Sequence, residues 1–411
     1  MVIKRVKYGG EELEGKAGGR KATGAKVADL SAEDEMHDLY DEDVNLKTGS
    51  MDLPFLLLTI LILTIGVIMV LSASFARAYY TSGNPTRFFV RQLIFAVSGI
   101  ALMLIASKIP VRLYRKYSML LLAVSLVLLM LVPVIGTEDN GAKRWIDLGI
   151  TTFQPSEIAK LAEILAFANM ICVFKGKMKT FRYGVLPFGI VAGAIVFLLY
   201  LEPHLSASVI ILAIAAIMMF AGGTRLRWFG IGIALVGVAA VITLTKMDYA
   251  AARVEAWRHP ELYPTTSGYQ PLQSLYAIGS GGLLGLGLGQ GRQKHLYLPE
   301  EHNDYIFSVV CEELGFIGAM LIICLFAMLI VRGFWIALHA KTRFGSLVVT
   351  GIMGLLAIQV FLNIAVVTNL LPTTGISLPF FSYGGTALWL QLSEMGIVLA
   401  VSREIPAKKA G

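Results

Sequence analysis

The chain has 411 residues, of which 56% are hydrophobic and 15% are charged, and its mean hydropathy is +0.70. A soluble domain carries about 25% charged residues. These values exclude a soluble enzyme, a disordered protein and a secreted disulfide scaffold, and they indicate a polytopic membrane protein. Most basic residues lie in turns beside apolar segments, so the net charge of +7 does not predict a nucleic-acid partner.

The N-terminal zone differs from the rest of the chain. Residues 1–50 contain 8 Lys and Arg, 11 Asp and Glu and no long apolar run, which predicts a flexible cytoplasmic tail. The first apolar run begins near Leu53, too deep for a signal peptide. Residues 51–403 form the predicted transmembrane domain, and residues 404–411 form a short cytoplasmic end.

Apolar runs recur through the transmembrane domain. A spanning helix needs about 20 mostly apolar residues. The apolar runs of about this length predict an all-α polytopic membrane protein with about ten transmembrane helices. They lie near 53–74, 90–107, 118–136, 156–174, 184–201, 205–222, 228–245, 305–332, 346–370 and 384–402. A long extracytoplasmic loop, 246–304, separates helices 7 and 8.

Orientation follows from the Lys and Arg residues of the loops. One set of turns and the C-terminal end carry 16 basic residues, and the opposite set carries 10, half of them in loop 246–304. We therefore assign the first set and both termini to the cytoplasm. The polar motifs then fall on the extracytoplasmic face: 140–145, 154–157, 202–204, the loop around Asp304, and 382–385.

The fourth span begins with a periodic polar pattern. Gln154, Glu157, Lys160 and Glu163 repeat every three residues, and Pro155 suits the first helical position. One interpretation is a helix start in which Glu157 complements the helix dipole and pairs with Lys160. The other is a polar cavity, because a charge within a span costs about 2.5–3.5 kcal/mol on insertion scales.

Loop 246–304 ends in a dense polar segment. Asp304 stands at the membrane edge, where it is either a helix N-cap or a general base. A divalent cation, Mg or Mn, is compatible with the group Glu300, Glu301, His302 and Asp304, although no cofactor is evident from the sequence. The preceding glycines, 279–291, lack a phosphate-binding pattern and favour a segment packed closely on helices.

Two further motifs have structural alternatives. Ser382-Tyr383-Gly384-Gly385 opens the last span and is either functional or a turn with helix-packing glycines. Ser72-Ala73-Ser74 in the first span is interpreted as a packing device. Glu312 and Glu313, inside the eighth span, require a polar partner or a cavity.

Taken in order, these motifs resemble the SEDS family, which includes FtsW, RodA and SpoVE. The matching residues are Ser72-Ala73-Ser74, Arg91-Gln92, Gly141, Arg144-Trp145, Gln154-Pro155-Ser156-Glu157, Lys160, Tyr269-Gln270, Gln273-Ser274, Gln293-Lys294, Leu298 to Asp304, Glu312 to Gly315, Asn363, Leu371-Pro372, Leu378-Pro379 and Ser382 to Gly385. The resemblance covers about residues 53–403 and leans towards the FtsW and SpoVE branch.

The resemblance implies a peptidoglycan glycosyltransferase that polymerises lipid II, with Asp304 as the catalytic base. It also implies a substrate-binding surface formed by Arg91, Arg144, Trp145, Gln154, Ser156, Glu157, Lys160, Lys294, His302, Ser382, Tyr383, Gly384 and Gly385. Within this surface, Arg91, Arg144, Lys160 and Lys294, or a bound divalent ion, would meet the phosphates of the substrate. Implied partners are lipid II, the lipid-linked glycan chain, the bilayer, a class B penicillin-binding protein and other division or elongation proteins. The implied location is the bacterial cytoplasmic membrane, with the active site on the extracytoplasmic face.

The chain departs from its relatives at His204, where many have an acidic residue, at Thr374, where some have Lys, and at Asn303, where Thr is commoner. A catalytic role is therefore not assigned to His204 or Thr374. Two alternatives to polymerisation stay open. They are a lipid II flippase, suggested by Glu157, Lys160 and Glu163, and a non-enzymatic scaffold of the cell-wall synthesis complex.

Overall fold

The computed structural model describes residues 49–139, 142–147, 149, 152–202, 204–246 and 254–405. Almost all of the predicted tail at 1–50 and most of the predicted end at 404–411 lie outside the described residues. So do Asn140, Gly141 and Pro203 of the polar motifs.

All ten predicted spans are helices in the part of the chain that the structure describes. The helices, including one inside the long loop (α8), are α1 (Leu53–Ser82), α2 (Arg87–Ala106), α3 (Val111–Ile135), α4 (Pro155–Phe174), α5 (Leu186–Leu201), α6 (Leu205–Ala221), α7 (Leu226–Lys246), α8 (Tyr269–Gly281), α9 (Ile306–His339), α10 (Arg343–Val367) and α11 (Gly385–Ser402). Seven of the described helical segments are long and apolar enough to cross a membrane. One of the seven, Phe181–Leu201, combines a short helix at Phe181–Gly184 with α5, and α6 and the start of α7 are shorter apolar helices. The predicted all-α polytopic membrane fold is confirmed.

A small antiparallel sheet between α3 and α4 was not predicted. It has the order β1 (Thr137–Asp139), β2 (Ala142–Asp147) and β3 (Thr152–Phe153), with Ile146 opposite Phe153. The Thr386 hydroxyl donates to the Thr152 carbonyl over 3.0 Å and so joins the sheet to α11. The sheet therefore fixes β2 near the start of α11.

Helix α1 is capped at both of its ends. Asp52 caps its N-terminus, where the Phe55 N–H donates to Asp52 Oδ1 over 2.9 Å. Arg332 of α9 donates through Nε and Nη2 to the two Asp52 oxygens, over 3.0 and 2.7 Å. Gly83, with φ of 67°, ends the helix in the left-handed region that glycine adopts without strain.

Helix α9 is broken at Gly315, where φ is 65° and ψ is −170°. The glycine-rich segment after α8 occupies the break: Leu286 and Gly287 donate to the carbonyls of Glu312 and Glu313, and Gly282 and Leu283 accept from Phe316 and Ile317. A Cβ on Gly315 would lie 2.2 Å from the Gly285 nitrogen, so the approach requires glycine. The predicted close packing of this segment is confirmed, and it satisfies backbone groups that the break exposes.

Helix α4 lies at the centre of the helical array. It contacts α3, α5, α6, α10 and α11, and most of its side chains are buried, including Lys160 and Glu163. The charges of α4 therefore face protein, as the cost of exposing them to lipid requires. Its N-terminus follows β3 in the chain, so the residues from Gln154 to Lys160 lie next to the sheet.

Candidate active site

Asp304 lies in the segment that leads into α9 and is half-buried. The side-chain amide of Asn363 in α10 donates to the Asp304 carbonyl over 2.8 Å and to the Ile376 carbonyl over 2.7 Å. A Cβ on Gly375, whose φ is 69°, would lie 3.3 Å from Asp304 Oδ2. The carboxyl group therefore faces the turn between α10 and α11, and its backbone is held from α10.

The surroundings of Asp304 disfavour its charged form. Burial raises the pKa of its carboxyl to about 6, and the neighbouring Glu300 carboxylate acts in the same direction, whereas His302 and Arg144 oppose the shift. Across the described residues, no side chain or amide donates a hydrogen bond to this carboxylate. A carboxylate with this pKa and no protein donor is suited to accept a proton near neutral pH.

The predicted motif at 382–385 is bonded directly to the Asp304 segment. The Tyr383 N–H donates to the His302 carbonyl over 2.9 Å, and the Ser382 hydroxyl donates to the Asn303 carbonyl over 2.8 Å. The rings of His302 and Tyr383 lie 5.8 Å apart and both pack on Phe88. The structure thus brings this motif and His302 to Asp304, and Ser382 serves there as a link between backbone segments.

The close approach of Gly385 to α2 depends on its lack of a side chain. A Cβ on Gly385 would lie 2.4 Å from the Phe95 ring of α2, whereas Gly384 donates its N–H to Gln92 Oε1 over 3.3 Å. Both glycines therefore fix the start of α11 against α2. This contact gives the motif a packing role, and any additional substrate contact stays a prediction.

The start of α4 supplies a second group of polar side chains. Lys160 Nζ lies 2.7 Å from Glu157 Oε2, in an ion pair that is largely buried. Gln154 Nε2 lies 2.7 Å from His204 Nε2. The hydroxyl of Ser156 is buried and has no hydrogen-bond partner in the described ranges. The polar face that the three-residue spacing predicts is therefore present, and Glu157 pairs with Lys160 as predicted.

Arg144 connects the two groups electrostatically. It lies on β2 next to the partly buried Trp145, and its charge acts on the carboxyl groups of Asp304 and Glu202 and on the imidazole of His204. Burial lowers the pKa of His204 to about 3, and Arg144 and Lys160 act in the same direction. His204 is thus neutral at physiological pH, and the cations of this region are Arg144 and Lys160.

Two predicted phosphate ligands lie in different surroundings. Arg91 is exposed on α2. The ammonium of Lys294 is buried, where it donates to Glu313 and, over 3.0 Å, to the Ser72 hydroxyl. Ser72, predicted from the sequence to be a packing residue, is therefore a polar partner of this pair, and Glu313 has the partner that its place in a span requires.

The segment 300–304 does not assemble a metal centre. Among the residues that the structure describes, no group of three or more His, Cys, Asp or Glu side chains is arranged to hold a metal ion. Glu301 is bound instead by Arg77, over 2.7 and 2.8 Å. The residues present therefore do not fit the cation site that the sequence left open.

Sequence reasoning missed two ionisable residues of this region, Arg77 and Glu394, and gave no role to Glu202 of the motif at 202–204. Arg77 pairs with Glu301, Glu394 of α11 experiences the charges of Lys160 and Glu157, and Glu202 is buried next to the charge of Arg144. Arg77 and Glu394 carry a signal that the sequence analysis did not use, namely an ionisable residue within or at the end of a span.

Glu202 leads to a prediction on stability. Burial raises the pKa of its carboxyl from 4.5 to about 8, and neither oxygen has a hydrogen-bond partner in the described part of the chain. The folded protein therefore holds a proton that the unfolded chain releases, so stability falls as the pH rises from about 4.5 to about 8. We expect Glu202→Gln to raise Tm more at about pH 8 than at about pH 5.

Thermal unfolding in detergent at the two pH values would test this expectation. Glu261→Gln is a matched control, because Glu261 is 63% exposed in its turn and should change Tm little at either pH. An equal effect of Glu202→Gln at both pH values would show that the Glu202 carboxyl is charged in the folded protein.

The fold and site define a polytopic membrane protein with a carboxylate and two cations gathered at the ends of its spans. A sequence profile of the cell cycle protein family of FtsW, RodA and SpoVE matches residues 52–406, so the chain belongs to this family, as the motifs predict.

Two curated relatives carry the names FtsW and SpoVE. The stage V sporulation protein E of Bacillus subtilis is 42% identical over 361 residues, which cover 87% of this chain and 98% of that protein. The probable peptidoglycan glycosyltransferase FtsW of Trichlorobacter lovleyi is 42% identical over 359 residues, which cover 87% and 94% of the two chains.

Solved structures show the same fold. A chain of a peptidoglycan synthase complex, described as coordinating polymerization and crosslinking, matches with a TM-score of 0.72 at 28% identity and covers 86% of this chain and 98% of its own. The rod shape determining protein RodA of Thermus thermophilus matches with a TM-score of 0.65 at 27% identity, over 87% and 98% of the two chains.

Proposed function

We propose that this chain is a peptidoglycan glycosyltransferase that polymerises lipid II into glycan strands. The proposal is supported by the family, by relatives named as probable peptidoglycan glycosyltransferases, and by one observation about the site. That observation is the environment of Asp304, a half-buried carboxylate whose pKa is raised to about 6 within the electrostatic reach of Arg144.

The proposed reaction is a single inverting displacement. Lipid II carries its sugar on an α-linked pyrophosphate and the glycan product is β-linked, so the anomeric carbon inverts once. The acceptor 4-hydroxyl oxygen forms the new bond to that carbon while the bond to the pyrophosphate breaks. The electron pair leaves with the pyrophosphate, and the hydroxyl proton passes to the Asp304 carboxylate.

Two cations of the site are suited to stabilise the pyrophosphate leaving group. Charge develops on the pyrophosphate as its bond breaks, and fixed positive groups stabilise such charge. Arg144 on β2 and Lys160 on α4 are the candidates that lie in this region, with Gln154 and Trp145 beside them. Lys160 is neutralised in part by its ion pair with Glu157.

The proposal includes an orientation and a partner. The basic residues of the short turns favour a cytoplasmic location for both termini, and Asp304 and the turn before α11 would then face the extracytoplasmic side. A class B penicillin-binding protein is the proposed partner, by resemblance to the family. Lipid-anchored donor and acceptor explain a polar site at the ends of the spans.

Glycan synthesis by the purified protein would test the proposal. Wild-type protein, its class B partner and lipid II are incubated together, and the strands are separated on a gel. A ladder of glycan strands is expected. The partner alone is the control, because it must make no ladder for the activity to be assigned to this chain.

A parallel assay addresses the flippase alternative. The same protein is placed in liposomes with fluorescent lipid II, and transfer of the lipid between leaflets is measured. Transfer without any glycan ladder would replace the polymerase by a flippase. Neither activity, with the protein folded, would favour the scaffold.

A further inference from the structure

A buried ion pair ties α1 to the segment that carries Asp304. Arg77, near the end of α1, donates through Nε and Nη2 to the two oxygens of Glu301 over 2.7 and 2.8 Å. The Glu301 side chain has no exposed surface, whereas 29% of the Arg77 side chain is exposed. This two-bond geometry fixes orientation as well as distance.

The other hydrogen bonds to this segment come from a different direction. Tyr383 and Ser382 donate to the carbonyls of His302 and Asn303, and Asn363 donates to the carbonyl of Asp304. These donors belong to α10 and to the turn before α11. The ion pair adds a contact from α1, so helices on two sides of the segment fix its position.

The buried charge of Glu301 requires the ion pair with Arg77. A carboxylate without exposed surface requires a positive or donating partner to stay ionised. His302 Nδ1 lies 3.8 Å from Glu301 Oε1, so His302 is the next available partner. Without Arg77, Glu301 would attract the His302 ring away from Phe88 and Tyr383. Because His302 lies two residues before Asp304, the backbone that carries Asp304 would move with it.

We infer that Arg77 is a positioning residue that holds the Asp304 carboxylate in its reactive place through Glu301. The inference rests on the proposed function of Asp304 as the base. Arg77 touches neither Asp304 nor the reacting atoms. It acts through the backbone that joins Glu301 to Asp304.

The chain offers a matched control for the test. Arg332 binds Asp52 at the other end of α1, also through Nε and Nη2, and its side chain is 32% exposed. Arg332→Gln therefore breaks a similar pair on the same helix, away from Asp304. Arg77→Lys keeps the charge of Arg77, and Glu301→Gln removes the charge that Arg77 binds.

Turnover of lipid II is measured for the four variants beside the wild type. We expect Arg77→Gln to lower kcat by about 10- to 100-fold with little change in KM, because a displaced catalytic group costs rate more than binding. Arg77→Lys should recover most of the loss, Glu301→Gln should retain more activity than Arg77→Gln, and Arg332→Gln should match the wild type.

Hydrogen exchange of the amides at 300–305 gives a readout that does not depend on activity. Faster exchange there in Arg77→Gln, and not in Arg332→Gln, is expected. Equal exchange in the two variants, or equal losses of kcat, would overturn the positioning role. If the wild type makes no glycan, the proposed function fails, while exchange still decides whether Arg77 holds this segment.

Discussion

Replacing Asp304 with Asn is expected to reduce glycan formation by about 10²–10⁴-fold, because a positioned general base contributes a factor of that size. Asn has the shape of Asp, and the hydrogen bond from Asn363 is to the Asp304 backbone carbonyl, which the substitution keeps. The fold should therefore survive while the proton acceptor is lost. Initial rates of strand synthesis, with matched thermal unfolding curves, would measure both effects.

The pH dependence of the wild type should report the same group. The base must be deprotonated, and the pKa of Asp304 is raised to about 6, chiefly by burial. We expect kcat/KM to be constant above that pH and to fall about tenfold for each unit below it. An acid limb near the ordinary Asp value of 3.8 would show that Asp304 is hydrated in the working enzyme.

Glu300→Gln is the control that separates Asp304 from other titrating groups. The Glu300 carboxylate raises the pKa of Asp304, so its removal should move the acid limb to lower pH while activity is kept. Gln retains an oxygen for the Asn303 amide, which donates to Glu300 Oε2 over 2.6 Å. A limb that stays in place, or full activity of Asp304→Asn, would assign the base elsewhere.

Much of the fold could be predicted from the sequence because of the bilayer. Each span is a run of about 20 apolar residues, and each motif adjoins the end of a span. Motifs assigned to one face of the membrane therefore lie within one layer of the molecule. This is why Asp304, the turn at 382–385 and the start of α4 could be grouped before their contacts were known.

The pairing of individual charges could not be predicted in the same way. Arg77 and Glu301 are separated by 224 residues, and Ser72 and Glu313 by 241 residues. Charge cost predicts that each such residue has a partner, but the choice of partner depends on how the helices pack. The sheet β1–β3 was missed because its strands, of two to six residues, lie in a polar connection with no long alternating pattern.

Lys294 is a predicted substrate ligand whose burial in the structure indicates a different role. The resemblance implies that Lys294 meets the phosphates of the substrate. In the structure its side chain is 3% exposed and faces Glu313, whose side chain is fully buried. Glu313 also accepts hydrogen bonds from the amides of Gly289 and Gly291. The pair therefore closes the glycine-rich segment onto the break in α9.

Lys294→Met is expected to destabilise the protein by about 3–5 kcal/mol, because removal of one partner leaves the other buried and charged. Lys294→Met combined with Glu313→Gln removes both charges and should be less destabilised than Lys294→Met alone. Thermal unfolding in detergent would compare Tm for the wild type, both single variants and the double variant.

The same variants test the phosphate role that the sequence suggests. If Lys294 binds the pyrophosphate, Lys294→Met should keep the wild-type Tm and raise KM for lipid II, and Glu313→Gln should not compensate. If Lys294 holds the glycine-rich segment, Tm should fall and the double variant should regain part of the loss. Because the ammonium cannot bind Glu313 and a phosphate equally well at once, a large drop in Tm that the second substitution partly reverses would assign Lys294 to the framework of the site and leave Arg144 and Lys160 as its cations.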